Sequence, residues 1–153
     1  MIEIREATEG DLPAIIRLLW NDEQGRHRES LAQKDWPPYL EAFKAVQTDP
    51  NALLLVAHED ETVCGCLQLN ILSGLSFQGM KRGLIEDVRV QEAFRQKGIG
   101  RKLISTAEKI ALERGCGLLE LFVHEDRPLA HSFYEACGFE GKHRGFRRRL
   151  NST

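Results

Sequence analysis

The sequence predicts an α/β (α+β) fold in which a mixed central β-sheet is flanked by helices on both faces. Three observations lead there. Short runs of β-branched and aliphatic residues alternate with longer segments whose apolar residues recur every three or four positions. The order is strand, two helices, several strands, helix, strand, helix, strand, which is too irregular for an alternating barrel. At 153 residues the chain fits one domain, 1–153, since domains run to roughly 100–200 residues.

Ile2 and Ile4 alternate with polar residues as a half-buried strand does, and Thr8-Glu9-Gly10-Asp11 has the spacing of a capping box. Leu12, Ile15, Ile16 and Leu19 then form one helical stripe. Tyr39, Phe43 and Val46 form a second, opened by Pro37-Pro38. The polar stretch from Asn21 to Trp36 reads as a loop or a frayed helix. Residues 53–58 and 62–71 are joined by Glu59-Asp60-Glu61 and read as a hairpin. A glycine-containing loop, 73–83, leads to a strand at 84–90. From Gly98 the pattern turns helical, with Leu103, Ile104, Ala107, Ile110 and Ala111 on one face, and closes near Gly115. A strand at 118–124, a short helix at 128–137 stopped by Gly138, and a last strand at 146–150 complete the expectation.

Composition removes several function classes. Hydrophobic residues make up 42% and charged residues 29%, the balance of a soluble globular protein. The net charge of -2 argues against a dedicated nucleic-acid partner, whose binding is driven by clustered Lys and Arg. The start Met1-Ile2-Glu3-Ile4-Arg5 lacks the apolar core of a signal peptide, and no run approaches the roughly 18 apolar residues of a membrane span, so a cytoplasmic protein without a membrane partner is expected. Cys64, Cys66, Cys116 and Cys137 fit neither a zinc site nor a CxxC redox pair and read as reduced, mostly buried residues. His124 and His131 lack a carboxylate partner at metal-ligand spacing, so no metal is expected.

The segment Arg95-Gln96-Lys97-Gly98-Ile99-Gly100 sits between a strand and a strong helix, with Arg101 and Lys102 following. Backbone N–H groups at a helix N-terminus lack internal partners and carry partial positive charge, so glycines there let a phosphate approach. Arg95, Lys97, Arg101 and Lys102 would add counter-charge. A Rossmann fingerprint needs a glycine where Leu103 stands, and the Lys and Ser or Thr of a P-loop are absent.

The stretch Val90 to Gly100 resembles the strand, loop and (Arg/Gln)-x-x-Gly-x-Gly motif of the GCN5-related N-acetyltransferases (GNAT). Ala130-His131-Ser132-Phe133-Tyr134-Glu135-Ala136-Cys137-Gly138-Phe139 resembles their second signature, A-x-x-(F/Y/L)-Y-x-x-x-G-F. Around both, Ile85-Glu86-Asp87-Val88 and Phe133 to Phe139 look locally like glucosamine-6-phosphate acetyltransferases. The resemblance implies the GNAT fold, acetyl-CoA as cosubstrate and a primary amine of a small molecule or peptide as acceptor. It implies that Val88 and Val90 offer backbone groups to the pantetheine arm. It also implies that Arg95, Gln96, Lys97, Gly98, Ile99, Gly100 and Arg101 hold the pyrophosphate. Arg127 stands where many members have Asn and is expected to contact a phosphate or hold its loop. A homodimer is the assembly the resemblance suggests. The alternative is a non-catalytic acyl-CoA-binding or regulatory module with the same fold.

Acetyl transfer needs a neutral amine, stabilisation of an oxyanion and a proton for the departing thiolate. A tyrosine hydroxyl, whose ordinary pKa is about 10, can supply that proton, and Tyr134 matches the family's tyrosine. In Leu84 to Val90 three charges interrupt an apolar strand, which is costly unless they are paired or face a cleft. Strict alternation places Glu86 with Val88 and Val90, and Asp87 with Arg89 on the other face. Glu86 is therefore the expected base, directly or through a water, and Asp87 with Arg89 an expected structural pair. Asp22, Glu23, His27, Arg28 and Glu29 could line an acceptor pocket, though a solvated loop explains them too. No cysteine has a nucleophile's context, so direct transfer is expected.

Overall fold

A computed structural model describes residues 1–22 and 24–151. The chain divides into two compact units, 1–121 and from 122 onward. The first contains β1 (Ile2–Glu6), α1 (Leu12–Trp20), α2 (Trp36–Thr48), β2 (Ala52–Glu59), β3 (Thr62–Leu72), β4 (Lys81–Val90), α3 (Ile99–Glu113) and β5 (Cys116–Leu121). The second contains α4 (Pro128–Ala136). Its residues 139–149 carry no regular secondary structure, so the strand expected at 146–150 does not form. That segment is Arg-rich and nearly devoid of the alternating apolar positions that make a strand worth burying.

The strands lie in the order β1-β2-β3-β4-β5, antiparallel except for the parallel pair β4–β5 that α3 connects. This is the mixed sheet expected. β5 starts two residues earlier than its apolar run suggested and ends at Leu121. Entry into α1 is set by Asp11. Its carboxylate accepts the Thr8 N–H at 2.8 Å and two hydrogen bonds from Arg5, at 2.6 and 2.9 Å. The Arg5 guanidinium holds the Asp11 carboxyl down at about 2.

Register decides which residues meet which helix. Leu54 opposes Gln68 and Val56 opposes Cys66, so these four share one face of the sheet. Ile15 and Leu18 of α1 pack on Val56 and Cys66, and Phe43 of α2 joins Leu12 and Ile16 with Leu54 against them. On the opposite face a methyl at Gly65 would stand 3.2 Å from Leu103 and 3.3 Å from Ile99, which puts α3 almost on the backbone of β3. Of the stripe that the sequence marked, Leu103, Ile104, Ala107 and Ala111 are buried and Ile110 is half-buried, and Ile99 is buried as well.

Candidate active site

β4 carries the charges that stand out in the sequence, and its geometry differs from strict alternation. Gln68 pairs with Glu86 but Cys66 pairs with Arg89, so the two residues Asp87 and Val88 together oppose Leu67. This is a β-bulge, with Asp87 at φ +54°, a left-handed conformation in which Asp and Asn are enriched among side-chain-bearing residues. One extra residue reverses every facing beyond it. Glu86 therefore shares its face with Arg89, and Val90, paired with Gly65, lies on the α3 face. The expected grouping of Glu86 with Val88 and Val90 is overturned for this reason.

The expected Asp87–Arg89 pair is not what forms. Arg89 reaches Asp22, just past α1, at 3.4 Å and donates to the Val88 carbonyl at 3.0 Å. Glu86 accepts a 2.7 Å hydrogen bond from the Asn70 amide, and Asn70 in turn accepts one from Gln68 at 3.2 Å. Neither Asn70 nor Gln68 was singled out from sequence. The available signal was their alternation within the apolar run of β3, which places two amides on one face.

The β4–β5 ladder ends at Ile85–Leu121, and Glu86–Val90 runs beyond it. No ladder pair with β5 follows among the described residues, so this stretch has one backbone edge outside the sheet. The Val90 carbonyl accepts a 3.3 Å hydrogen bond from Arg95 Nε, which folds the turn back toward the strand end. A carbonyl has two lone pairs, so these arginine contacts at Val88 and Val90 leave acceptor capacity, and N–H donors, on that edge.

After a single 310 turn at Glu92–Phe94, the backbone takes positive φ at Gln96 (63°) and again at Gly98 (79°), and α3 starts at Ile99. A methyl built on Gly98 would meet nothing within 4 Å, so no side chain crowds the helix N-terminus at that position, where free N–H groups favour an anion. Arg95, Lys97 and Arg101 are exposed around it, and Lys97 lies 5.2 Å from the Phe94 ring. Ile99 is buried, so only its N–H can serve a ligand. Lys102 departs from the expected cluster, since its ammonium donates to the Ile2 carbonyl on β1.

Between α1, α2 and the sheet lies a slot of about 110 Å³, lined by Leu12, Ile15, Leu19, Tyr39, Leu54 and Asp87 among others. A second depression, of about 390 Å³, is lined by Arg17, Ser30, Trp36 and neighbouring residues of α1, α2 and the loop between them, and includes no strand residue. Of the loop residues considered for an acceptor pocket, Asp22 holds Arg89, Arg28 pairs with Glu29 at 3.1 Å, and Glu29 accepts the Tyr39 hydroxyl at 2.8 Å. His27 closes a 310 turn, and Glu23 lies outside the described residues.

The cysteines are free. Burial pushes the Cys66 thiol up to about 12, and burial also raises Cys64 and Cys116. A thiol so raised is not a nucleophile near neutral pH. Among the described residues no group of three or more His, Cys, Asp or Glu could hold a metal, and no helix is long and apolar enough to cross a membrane.

In the second unit, the signature around Tyr134 is in part the mechanics of ending a helix. Pro128 opens α4, whose cap Arg127 accepts the His131 N–H at 3.1 Å. Gly138, at φ +96°, donates to the Glu135 carbonyl and Phe139 to that of Tyr134, the paired bonds of a Schellman motif. The apolar contact that accompanies the motif is the edge-on Tyr134–Phe139 ring pair at 6.0 Å, and Phe133 stands edge-on to Tyr134 at 5.1 Å.

This geometry agrees with comparisons to known proteins. The Acetyltransferase (GNAT) family matches residues 12–139. The chain belongs to this family. An acetyltransferase from Yersinia enterocolitica is 31% identical over 140 residues, 91% of this chain and 88% of the relative. A solved structure of a transcriptional regulator from Bacillus halodurans is 40% identical at a TM-score of 0.95, covering 98% of this chain and all of that one. Glucosamine-6-phosphate N-acetyltransferase from Arabidopsis thaliana superposes with a TM-score of 0.80 over 99% of both chains at 21% identity, a likeness of fold alone.

Proposed function

We propose that this acetyltransferase moves an acetyl group directly from acetyl-CoA to a primary amine, with no covalent enzyme intermediate. One observation carries the reading. β4 runs past its ladder with β5 and leads into a glycine turn that opens a helix N-terminus beside three exposed cations. A backbone edge followed by an anion site suits a ligand with an amide-rich arm and a pyrophosphate.

In this reading Val88 and Val90 offer backbone groups to the pantetheine amides. Arg95, Gln96, Lys97, Gly98, Ile99, Gly100 and Arg101 hold the pyrophosphate, and Arg127 contacts a phosphate or fixes its loop. The amine nitrogen attacks the thioester carbonyl carbon, the C–N bond forms and the C–S bond breaks. Tyr134 gives a proton to the leaving sulfur, and the nitrogen loses one to Glu86, directly or through a water. The products are an N-acetylamine and the CoA thiol. Asn70 fixes one Glu86 oxygen and so orients the carboxylate for that step. The raised Cys66 thiol supports the direct route. Because the family match crosses from one compact unit into the other, residues 1–153 are read as one working domain. A cytoplasmic location and a homodimer belong to the same proposal, and sedimentation of the purified chain checks the second.

Calorimetric titration of acetyl-CoA, then thiol release against a panel of amines, tests the reading. Binding followed by amine-dependent release is expected. The likeness to a Bacillus halodurans transcriptional regulator favours a second reading, a regulatory module that binds acyl-CoA without turnover. Binding with no release from any amine would select it.

A further inference from the structure

The two edges of the sheet differ in how they meet solvent. At one edge, β1 carries Glu3, Arg5 and Glu6 among its five residues, and charges so placed discourage a further strand from pairing. At the other, β5 has a ladder partner on one side only, β4. Between Cys116 and Leu121 it has neither proline nor lysine, and its single charge, Glu120, is tied to Arg82 at 2.5 Å. An apolar edge of this kind is a template for one more strand. The second unit holds a segment that lacks such a partner. Its last backbone–backbone hydrogen bond runs from the Phe139 N–H to the Tyr134 carbonyl, and residues 140–150 make none among the described residues. A methyl at Gly145 would stand 3.0 Å from the Phe122 ring, and beyond that contact Phe146 is 93% and Leu150 95% exposed. In a strand these two would share one face, with Arg147 and Arg149 on the other.

We infer that residues 146–150 of one copy of this chain pair as a strand with the β5 edge of a second copy, and reciprocally. This rests on the homodimer reading above and names the surfaces that make the dimer. Residues 142–149 carry five positive charges and no negative one, so in a chain of net charge -2 the remainder carries -7. Glu125 and Asp126, exposed just past β5, belong to that negative remainder. A second copy therefore attracts the segment, whereas a nucleic acid would be repelled by most of the chain and would leave Phe146 and Leu150 in water. The Phe122 and Phe146 rings of two copies would supply roughly half of the about 1,000 Å² that a specific interface clears, and Leu118, Leu150 and two added strands the rest. Because the exchange is mutual, each copy covers the other's edge and the assembly closes at two.

The test uses the full chain and combines sedimentation over a dilution series with amide hydrogen exchange at residues 146–150. A dimer is expected whose 146–150 amides are protected, and whose protection disappears on dilution below the dimer Kd. Phe146→Asp removes the apolar anchor, and Arg148→Pro removes an N–H from the added strand. Each is expected to raise the dimer Kd at least about tenfold, while Arg148→Lys leaves it within about twofold. Far-UV circular dichroism of the variants should match the parent chain, because residues 146–150 lie outside the helices and strands of the single copy. A dimer in which these amides stay unprotected, or whose Kd neither Phe146→Asp nor Arg148→Pro changes, overturns the strand exchange and leaves the homodimer reading standing. A chain that stays monomeric at every concentration overturns both, whether its 146–150 amides are protected by pairing within one copy or exposed throughout.

Discussion

The two faces of the sheet are built from similar residues and do different work. On the α3 face Gly65 and Gly83 let the helix and the Leu119 side chain press close to the strands, and a methyl at Gly65 would stand 3.1 Å from the Arg89 carbonyl. Leu67, Leu69 and Leu103 have no exposure at all. On the other face α1 and α2 leave a slot, and the polar residues Gln68, Asn70, Glu86 and Arg89 share that side of β3 and β4. The first face fixes the strand positions, and the second carries the polar side chains of the proposed site on that rigid frame.

Substitutions can break this contrast, beginning with the largest effects. Leu103→Ala on the packed face should cost about 3 kcal/mol in urea unfolding, whereas Val46→Ala on the slot face should cost less than about 1 kcal/mol because its side chain is already part exposed. Equal costs would mean that the slot wall is ordinary core. Tyr134→Phe should lower kcat by about a hundredfold with little change in acetyl-CoA affinity, and unchanged turnover under a rate-limiting chemical step would remove Tyr134 from the reaction. Gly65→Ala should cost about 1–2 kcal/mol, since the backbone of β4 has to give way. A neutral result would show that the β4 backbone and the α3 side chains can make room for a methyl.

The smallest effect concerns Asp11, whose lowered carboxyl joins β1 to α1. Its folded pKa of about 2 lies below the usual carboxylate value of about 4. Its contribution is therefore fully present above about pH 4 and is lost as pH falls through about 2. Arg5 is part exposed and solvent weakens the pair, so Asp11→Ala should cost about 1 kcal/mol at pH 7 and progressively less below pH 4. A pH-independent difference would show that the stabilisation does not come from the ionised carboxylate, to which both the Arg5 pair and the Thr8 cap bond are made.

Much of the fold was legible because it is written in local periodicity. The stripes of α1 and α3, the hairpin of β2 and β3, and Gly98 before a helix each state their role within about ten residues. The second signature was legible for a similar reason, since Tyr134, Gly138 and Phe139 are the parts of one helix stop. The last strand was misread because basic residues at 147–149 say little about pairing without a neighbour to pair with. The facing of Glu86 was misread because alternation assumes that one residue opposes one, and nothing between Glu86 and Val90 announces that two residues will oppose Leu67.

By itself the sequence determined the family, most of the element types, and the glycine turn ahead of α3, since each depends on neighbours a few positions away. The tertiary structure alone decided that Asp22 would neutralise Arg89, that Asn70 would hold Glu86, and that Asp87 would sit in a bulge opposite Leu67. Those pairings join residues 16 to 67 positions apart, through a bulge whose register exists only once β3 and β4 have met.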